Sequence, residues 1–152
     1  MLTKRPDTMP SHQGEIAFPG GKHDPIVDDS LADTALREAH EEVGLEPVAV
    51  EVMGELDTLS TVASQFVITP FVGLLEVAPV LVPHPREVVK VFDVALSELF
   101  DDETHRSEIW RFPTSDTEIN IHFYELAGET VWGATARILT NLLTCLADSR
   151  GQ

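Results

Sequence analysis

The chain holds one cysteine, one tyrosine and two tryptophans, and only ten lysines and arginines among its 152 residues. A single thiol, Cys145, excludes an internal disulfide framework and points to a reducing, cytoplasmic setting. No apolar run reaches the roughly 18 residues that a membrane-spanning helix requires. The opening MLTKRPDTMP carries two basic residues with no apolar stretch behind them, so no secretory signal is expected. Basic groups are outnumbered by 26 aspartates and glutamates, for a formal charge of −16, which repels nucleic acid and anionic membrane surfaces alike. What is present in ordinary amounts is apolar: 43% hydrophobic against 24% charged residues reads as globular, and the length as one domain, 1–152.

The distribution of charge says more than its total. Between His23 and Asp57 stand eleven acidic residues and one basic residue, Arg37, while Lys4, Arg5 and Lys22 precede them. A short basic arm leads into a dense acidic block, and that is where chemistry is to be sought.

No internal repeat or low-complexity tract interrupts the chain. Glu15 to Phe18 reads as a short strand entering the turn Pro19-Gly20-Gly21. Leu31 to Val43 reads as a helix, capped by Asp29 or Ser30 and ended by Gly44, with Leu45 as the following apolar contact. Val48 to Asp57 alternates like a half-buried strand. Phe66 to Glu76 is apolar enough for a central strand, although Pro70 argues for an edge or a bulge. The Pro79 to Pro85 segment is a loop, Val88 to Val94 a strand, and Leu96 to Phe100 a short helix. Ile119 to Leu126 alternates cleanly, and Val131 to Ala147 is an amphipathic closing helix. A helix amid strands and a final helix predict a mixed sheet packed between helices.

Within the first helix, Glu38, Glu41 and Glu42 fall inside an arc of about 100°, while Ala35, Leu36, Ala39 and Val43 fill the neighbouring arc. Local energetics oppose such a cluster. Like charges at i and i+4 cost roughly 0.2–0.5 kcal/mol, and acids in the last turn face the negative end of the helix dipole for a further ~0.3–1 kcal/mol each. A solvated acidic face is the plain explanation of a Glu-Glu pair. The glycine-rich turn ahead of this one favours a functional site instead, where a divalent cation reverses both penalties.

The stretch GGKHDPIVDDSLADTALREAHEEVGL resembles the Nudix box of nucleoside-diphosphate-linked hydrolases, matching it at Arg37, Glu38, Glu41, Glu42, Gly44 and Leu45. Asp29 stands where the box usually has glutamate, eight positions before Arg37, and the spacer from Gly21 to it is two residues longer than in the general pattern. The longer spacer is similar to that of the coenzyme A diphosphatases, whose upstream motif is matched by Leu2, Thr3, Lys4 and Arg5, by Ser11-His12-Gln13-Gly14 and by Phe18-Pro19-Gly20-Gly21. Pro6 replaces the usual serine there, and Pro10 the usual second arginine, which removes a potential phosphate contact. His84-Pro85-Arg86-Glu87-Val88, Val91-Phe92-Asp93 and Val131 to Ala136 also look like this subgroup.

The resemblance implies an α+β fold, a Nudix-like α/β/α sandwich with a mixed β-sheet between helices and without the usual N-terminal strand, whose absence would leave Leu2 and Thr3 at an exposed boundary. It implies Mg²⁺ or Mn²⁺ on Glu38 and Glu42 with Glu41 close by, Glu41 and Glu87 as candidate bases, and Arg37 holding Glu41 and Asp29 in register. Arg5, His12 and Lys22, with Gly20 and Gly21, would meet the substrate. The implied reaction splits coenzyme A or its thioesters into adenosine 3′,5′-bisphosphate and a phosphopantetheine fragment. ADP-ribose, NADH and dinucleoside polyphosphates are alternative substrates, and a non-catalytic acidic cation- or nucleotide-binding module is the alternative of another class. A small-molecule diphosphate is the expected partner, and an exposed sheet edge would favour a homodimer. The six histidines show no paired zinc-ligand spacing. Cys145 is expected in the core, and Trp110 and Trp132 as core or interface anchors.

Overall fold

The computed structural model describes residues 1–9, 12–61, 66–111 and 118–150. Pro10 and Ser11 of the upstream motif lie outside the described residues. The chain forms two compact units, Met1–Phe92 and Asp93–Gln152. Every strand pairing among the described residues is antiparallel.

The first unit contains β1 (Leu2–Lys4), β2 (Ile16–Ala17), α1 (Leu31–Val43), a 3-10 turn (Pro47–Ala49), β3 (Glu51–Glu55), β4 (Leu59–Ser60), β5 (Val67–Ile68), β6 (Phe71–Leu74) and β7 (Lys90–Phe92). β1 runs between β2 and β7, with Thr3 opposite Ala17 on one side and Val91 on the other. Leu2 and Thr3 are each only 2% exposed. The expectation that they sit at an open boundary is thus corrected: both edges of β1 are occupied, so its backbone donors and acceptors are spent within the sheet.

Two further ribbons pair β3 with β6 and β4 with β5. The apolar run expected as one central strand breaks at Pro70, which has no N–H to give a ladder, into β5 and β6. β3 is exposed along its whole length rather than half-buried. Among the described residues it pairs only with β6, and the register shifts between Val52 and Gly54.

α1 has the boundaries the sequence predicts. The Ser30 hydroxyl accepts from the Asp33 N–H at 3.1 Å, and Gly44, at φ 70°, donates to the His40 carbonyl at 2.8 Å. The left-handed turn suits glycine because it has no Cβ to clash. Ala39, Val43 and Leu45 form a buried cluster with Val88, which anchors the helix in its unit.

The second unit contains α2 (Leu96–Leu99), β8 (His105–Arg111), β9 (Glu118–Leu126), β10 (Glu129–Val131) and α3 (Gly133–Arg150). β9 lies between β8 and β10. The Ala127-Gly128 connection has both φ angles positive, as a two-residue hairpin requires. Buried Tyr124 of β9 ties the sheet to α3 through a 2.9 Å hydrogen bond between its hydroxyl and that of Thr140. Cys145 is exposed rather than in the core. Trp110 and Trp132 are exposed as well and do not serve as core anchors.

Candidate active site

The acidic face of α1 is graded in depth. Glu42 is only 6% exposed, whereas the Glu38 and Glu41 side chains are progressively more open. Burial pushes the Glu42 carboxyl up to about 7. Arg5 opposes that rise, Glu38 and Glu87 add to it, and the Gly20 N–H bonded to the carboxylate lowers it. The structure therefore brings Glu42, Glu38, Glu87, Arg5 and Gly20 together from four separate segments.

Two local devices make that convergence. The His84 N–H donates to the Glu42 carbonyl and the Val82 N–H to the Val43 carbonyl, each at 2.8 Å. These bonds strap the proline-rich loop to the last turn of α1, using carbonyls a helix end leaves unpaired, and so deliver Glu87. On the other side, the Phe18 to Gly21 turn lies so close to α1 that a Cβ at Gly21 would collide with the Glu38 carboxylate. Any larger residue there would push that carboxylate aside.

Arg37 organises the exposed side. Its Nε and Nη2 donate to the two oxygens of Asp28 at 2.8 and 3.0 Å. The same guanidinium reaches Glu38 at 3.0 Å and Glu41 at 3.2 Å. The hydrogen-bonded Arg37 holds Asp28 well below the usual carboxylate range, and Asp28 in turn raises the Arg37 pKa. Asp28 is the partner, not Asp29, which is exposed. Asp28 also accepts from the Asp24 N–H at 3.1 Å and the Thr34 hydroxyl at 2.9 Å. The register differs from expectation because the 24–28 turn points the earlier carboxylate inward.

An open groove of about 570 Å³ runs along this side, lined by Lys22, His23, Arg37, Glu38 and Glu41 among others. Lys22 thus lines the same groove as Arg37, Glu38 and Glu41. His12 instead pairs with Glu15 at 2.8 Å on its own exposed turn. Asp28, Thr34 and His23 were not singled out from sequence. A threonine one turn into the helix and an aspartate nine residues before the arginine were the available signals, and both are ambiguous without the turn's geometry.

Among the described residues, no group of three or more His, Cys, Asp or Glu side chains stands arranged to hold a metal ion. Arg37 pairs with Glu38 and Glu41 in this arrangement. The donor chemistry nevertheless fits a hard divalent cation: the set is all carboxylate oxygen, and buried Glu42 faces like charges from Glu38 and Glu87.

The NUDIX domain family matches residues 1–116. The uncharacterized Nudix hydrolase NudL of Photorhabdus laumondii is 39% identical to this chain over 143 residues, 93% of this chain and 74% of that protein. Proteins of the same description from Yersinia pestis (strain Pestoides F) and Yersinia pseudotuberculosis (serotype O:1b) are each 36% identical over 142 residues, 93% of this chain and 69% of theirs. The chain belongs to the Nudix hydrolase family. It is a hydrolase of pyrophosphate bonds in small, nucleoside-diphosphate-linked molecules, and enzymes of this family generally use divalent metal ions. No helix among the described residues is long and apolar enough to cross a membrane.

Proposed function

We propose that the substrate is coenzyme A or an acyl-coenzyme A, cleaved at its diphosphate to adenosine 3′,5′-bisphosphate and (acyl)phosphopantetheine. The observation that carries this reading is the joining of Arg5, from the upstream motif, and Glu87, from the downstream loop, to Glu42 of the Nudix box. All three segments resemble those of coenzyme A diphosphatases, and the charges of Arg5 and Glu87 both act on one carboxylate.

Glu38 and Glu42, with Glu41 beside them, would hold Mg²⁺ or Mn²⁺. When bound, such a cation neutralises diphosphate charge and acidifies water. The chain's own residues do the rest. Glu87 and Glu41 are the bases offered to the attacking water, Glu41 paired with Arg37 at 3.2 Å and Glu87 with His84 at 3.7 Å. Arg37 acts as a positioning residue, locked by Asp28 and spanning Glu38 and Glu41. Lys22 and Arg5 supply positive charge to outer phosphates in an otherwise anionic protein. Gly20 and Gly21 let the turn approach the carboxylates. By the same resemblance His12 would be a further phosphate contact, given up by Glu15.

The family match passes through the boundary between the two compact units, which supports one Nudix domain over 1–152. A cytoplasmic location and a homodimer complete the proposal, the latter supported by the exposed outer strand β3. Incubation with coenzyme A, ADP-ribose and NADH, followed by mass identification of products, tests the substrate. Adenosine 3′,5′-bisphosphate from coenzyme A is the expected result, and cleavage of the other two alone would overturn it.

A further inference from the structure

His23 lies at the rim of the groove with its side chain about one-third exposed, and its surroundings settle which ring nitrogen carries the proton. Its Nδ1 is 2.8 Å from the Thr34 hydroxyl oxygen and 3.8 Å from Asp28 Oδ2. The Thr34 hydroxyl has a single hydrogen, and two groups that can only accept compete for it: Asp28 Oδ2 at 2.9 Å and the Ser30 carbonyl at 3.2 Å. Asp28 is kept ionised by the Arg37 fork. A bare Nδ1 lone pair would face both the hydroxyl oxygen and that carboxylate. An Nδ1–H instead donates to Thr34 and is attracted by Asp28. In the neutral ring Nε2 then carries the lone pair, and Nε2 has no hydrogen-bond partner among the described residues, on a side chain that lines the groove.

We propose that His23 is a substrate-reading residue: oriented by the Thr34–Asp28 relay, it presents Nε2 to the groove as an acceptor for a hydroxyl, amino or amide donor on the organic part of the diphosphate. The charged groups lining the groove divide the work with it. Lys22 suits phosphate oxygens and Glu38 and Glu41 suit cations, whereas a neutral Nε2 lone pair repels a phosphate oxygen. A site built to accept from a donor discriminates strongly against analogues that lack it, because the acceptor is then left unpaired. This inference rests on the hydrolase reading, though not on coenzyme A in particular, since coenzyme A and ADP-ribose both carry such donors.

The ring state is measured on the whole protein by long-range ¹H–¹⁵N correlation of the histidine rings in mildly alkaline buffer, with His23 assigned from the spectrum of His23→Gln. A protonated Nδ1 with a bare Nε2 is expected; the opposite tautomer, or a doubly protonated ring, overturns the proposal. Steady-state kinetics then compare coenzyme A and ADP-ribose with P1,P2-dimethyl diphosphate, which has the anhydride and no donor. His23→Phe should raise KM about tenfold for the first two and no more than about twofold for the third, with kcat nearly kept and His23→Gln recovering most of the loss. An equal loss on all three would place His23 on the diphosphate, and no loss on any would remove it from the substrate; either overturns the proposal. If the wild type cleaves none of them, the substrate reading has failed by itself. The Nε2 resonance with saturating coenzyme A and with saturating ADP-ribose then decides for His23: a shift with either supports the contact, and a signal unmoved by both overturns it.

Discussion

Arg37 closes a two-pronged fork on Asp28, Nε to Oδ1 at 2.8 Å and Nη2 to Oδ2 at 3.0 Å, and the same guanidinium spans Glu38 and Glu41. A buried carboxylate therefore sets the orientation of two more open ones through a shared cation. Planar forks of this kind are geometrically demanding, so lysine cannot replace the arginine without loss.

Asp28→Asn and Asp29→Asn should separate cleanly. The first leaves Arg37 without its anchor and should weaken divalent-cation affinity by about ten- to a hundredfold, as loss of a supporting partner does. The second alters an exposed side chain and should stay within about twofold. Calorimetric titration of Mn²⁺ into each variant is the measurement.

Gly21→Ala should impair the site and spare the fold. Its new Cβ would meet the Glu38 carboxylate, while Gly21 itself is exposed and carries no buried contact. Activity should fall about a hundredfold with Tm changed by no more than about 2 °C. Turnover at saturating Mg²⁺ and a melting curve check both halves.

Glu42→Gln should abolish most turnover yet stabilise the metal-free protein at neutral pH. The sign follows from a folded-state pKa of about 7 against an ordinary 4.5. Below about 4.5 the carboxyl is protonated in both states and stability is unaffected; as pH rises through about 7 the buried charge progressively disfavours the fold. Melting with chelator across that range should show the wild type losing several degrees that the variant keeps. Cation affinity of the wild type should rise over the same window, since binding must displace the proton.

Lys22→Ala should raise KM by roughly tenfold with kcat almost unchanged, because a groove-lining cation remote from the scissile bond contributes binding energy. Arg5→Ala should instead deepen the stability loss of the metal-free protein above about pH 4.5 and extend it to higher pH, since Arg5 is the charge that offsets Glu42. Initial rates over a substrate series and pH-dependent melting distinguish the two roles.

Local chemistry sufficed for α1. Its cap, its glycine stop and the arc of Glu38, Glu41 and Glu42 depend on neighbours within a turn or two, which periodicity and capping rules read directly. The same holds for the break at Pro70, since a missing N–H is a property of the residue. Tertiary structure decided what depends on distant segments. Whether Leu2 and Thr3 are exposed turns on β7, nearly ninety residues away. Which aspartate meets Arg37 depends on how the 24–28 turn closes, a matter of one residue in register that composition cannot express. Burial of Glu42 but not Glu41, and the meeting of Glu42 with Glu87 through the 82–84 strap, follow from packing and backbone bonds across the chain. The carboxylates were legible in the sequence because they break local rules; their separate environments were not, because desolvation belongs to the assembled fold.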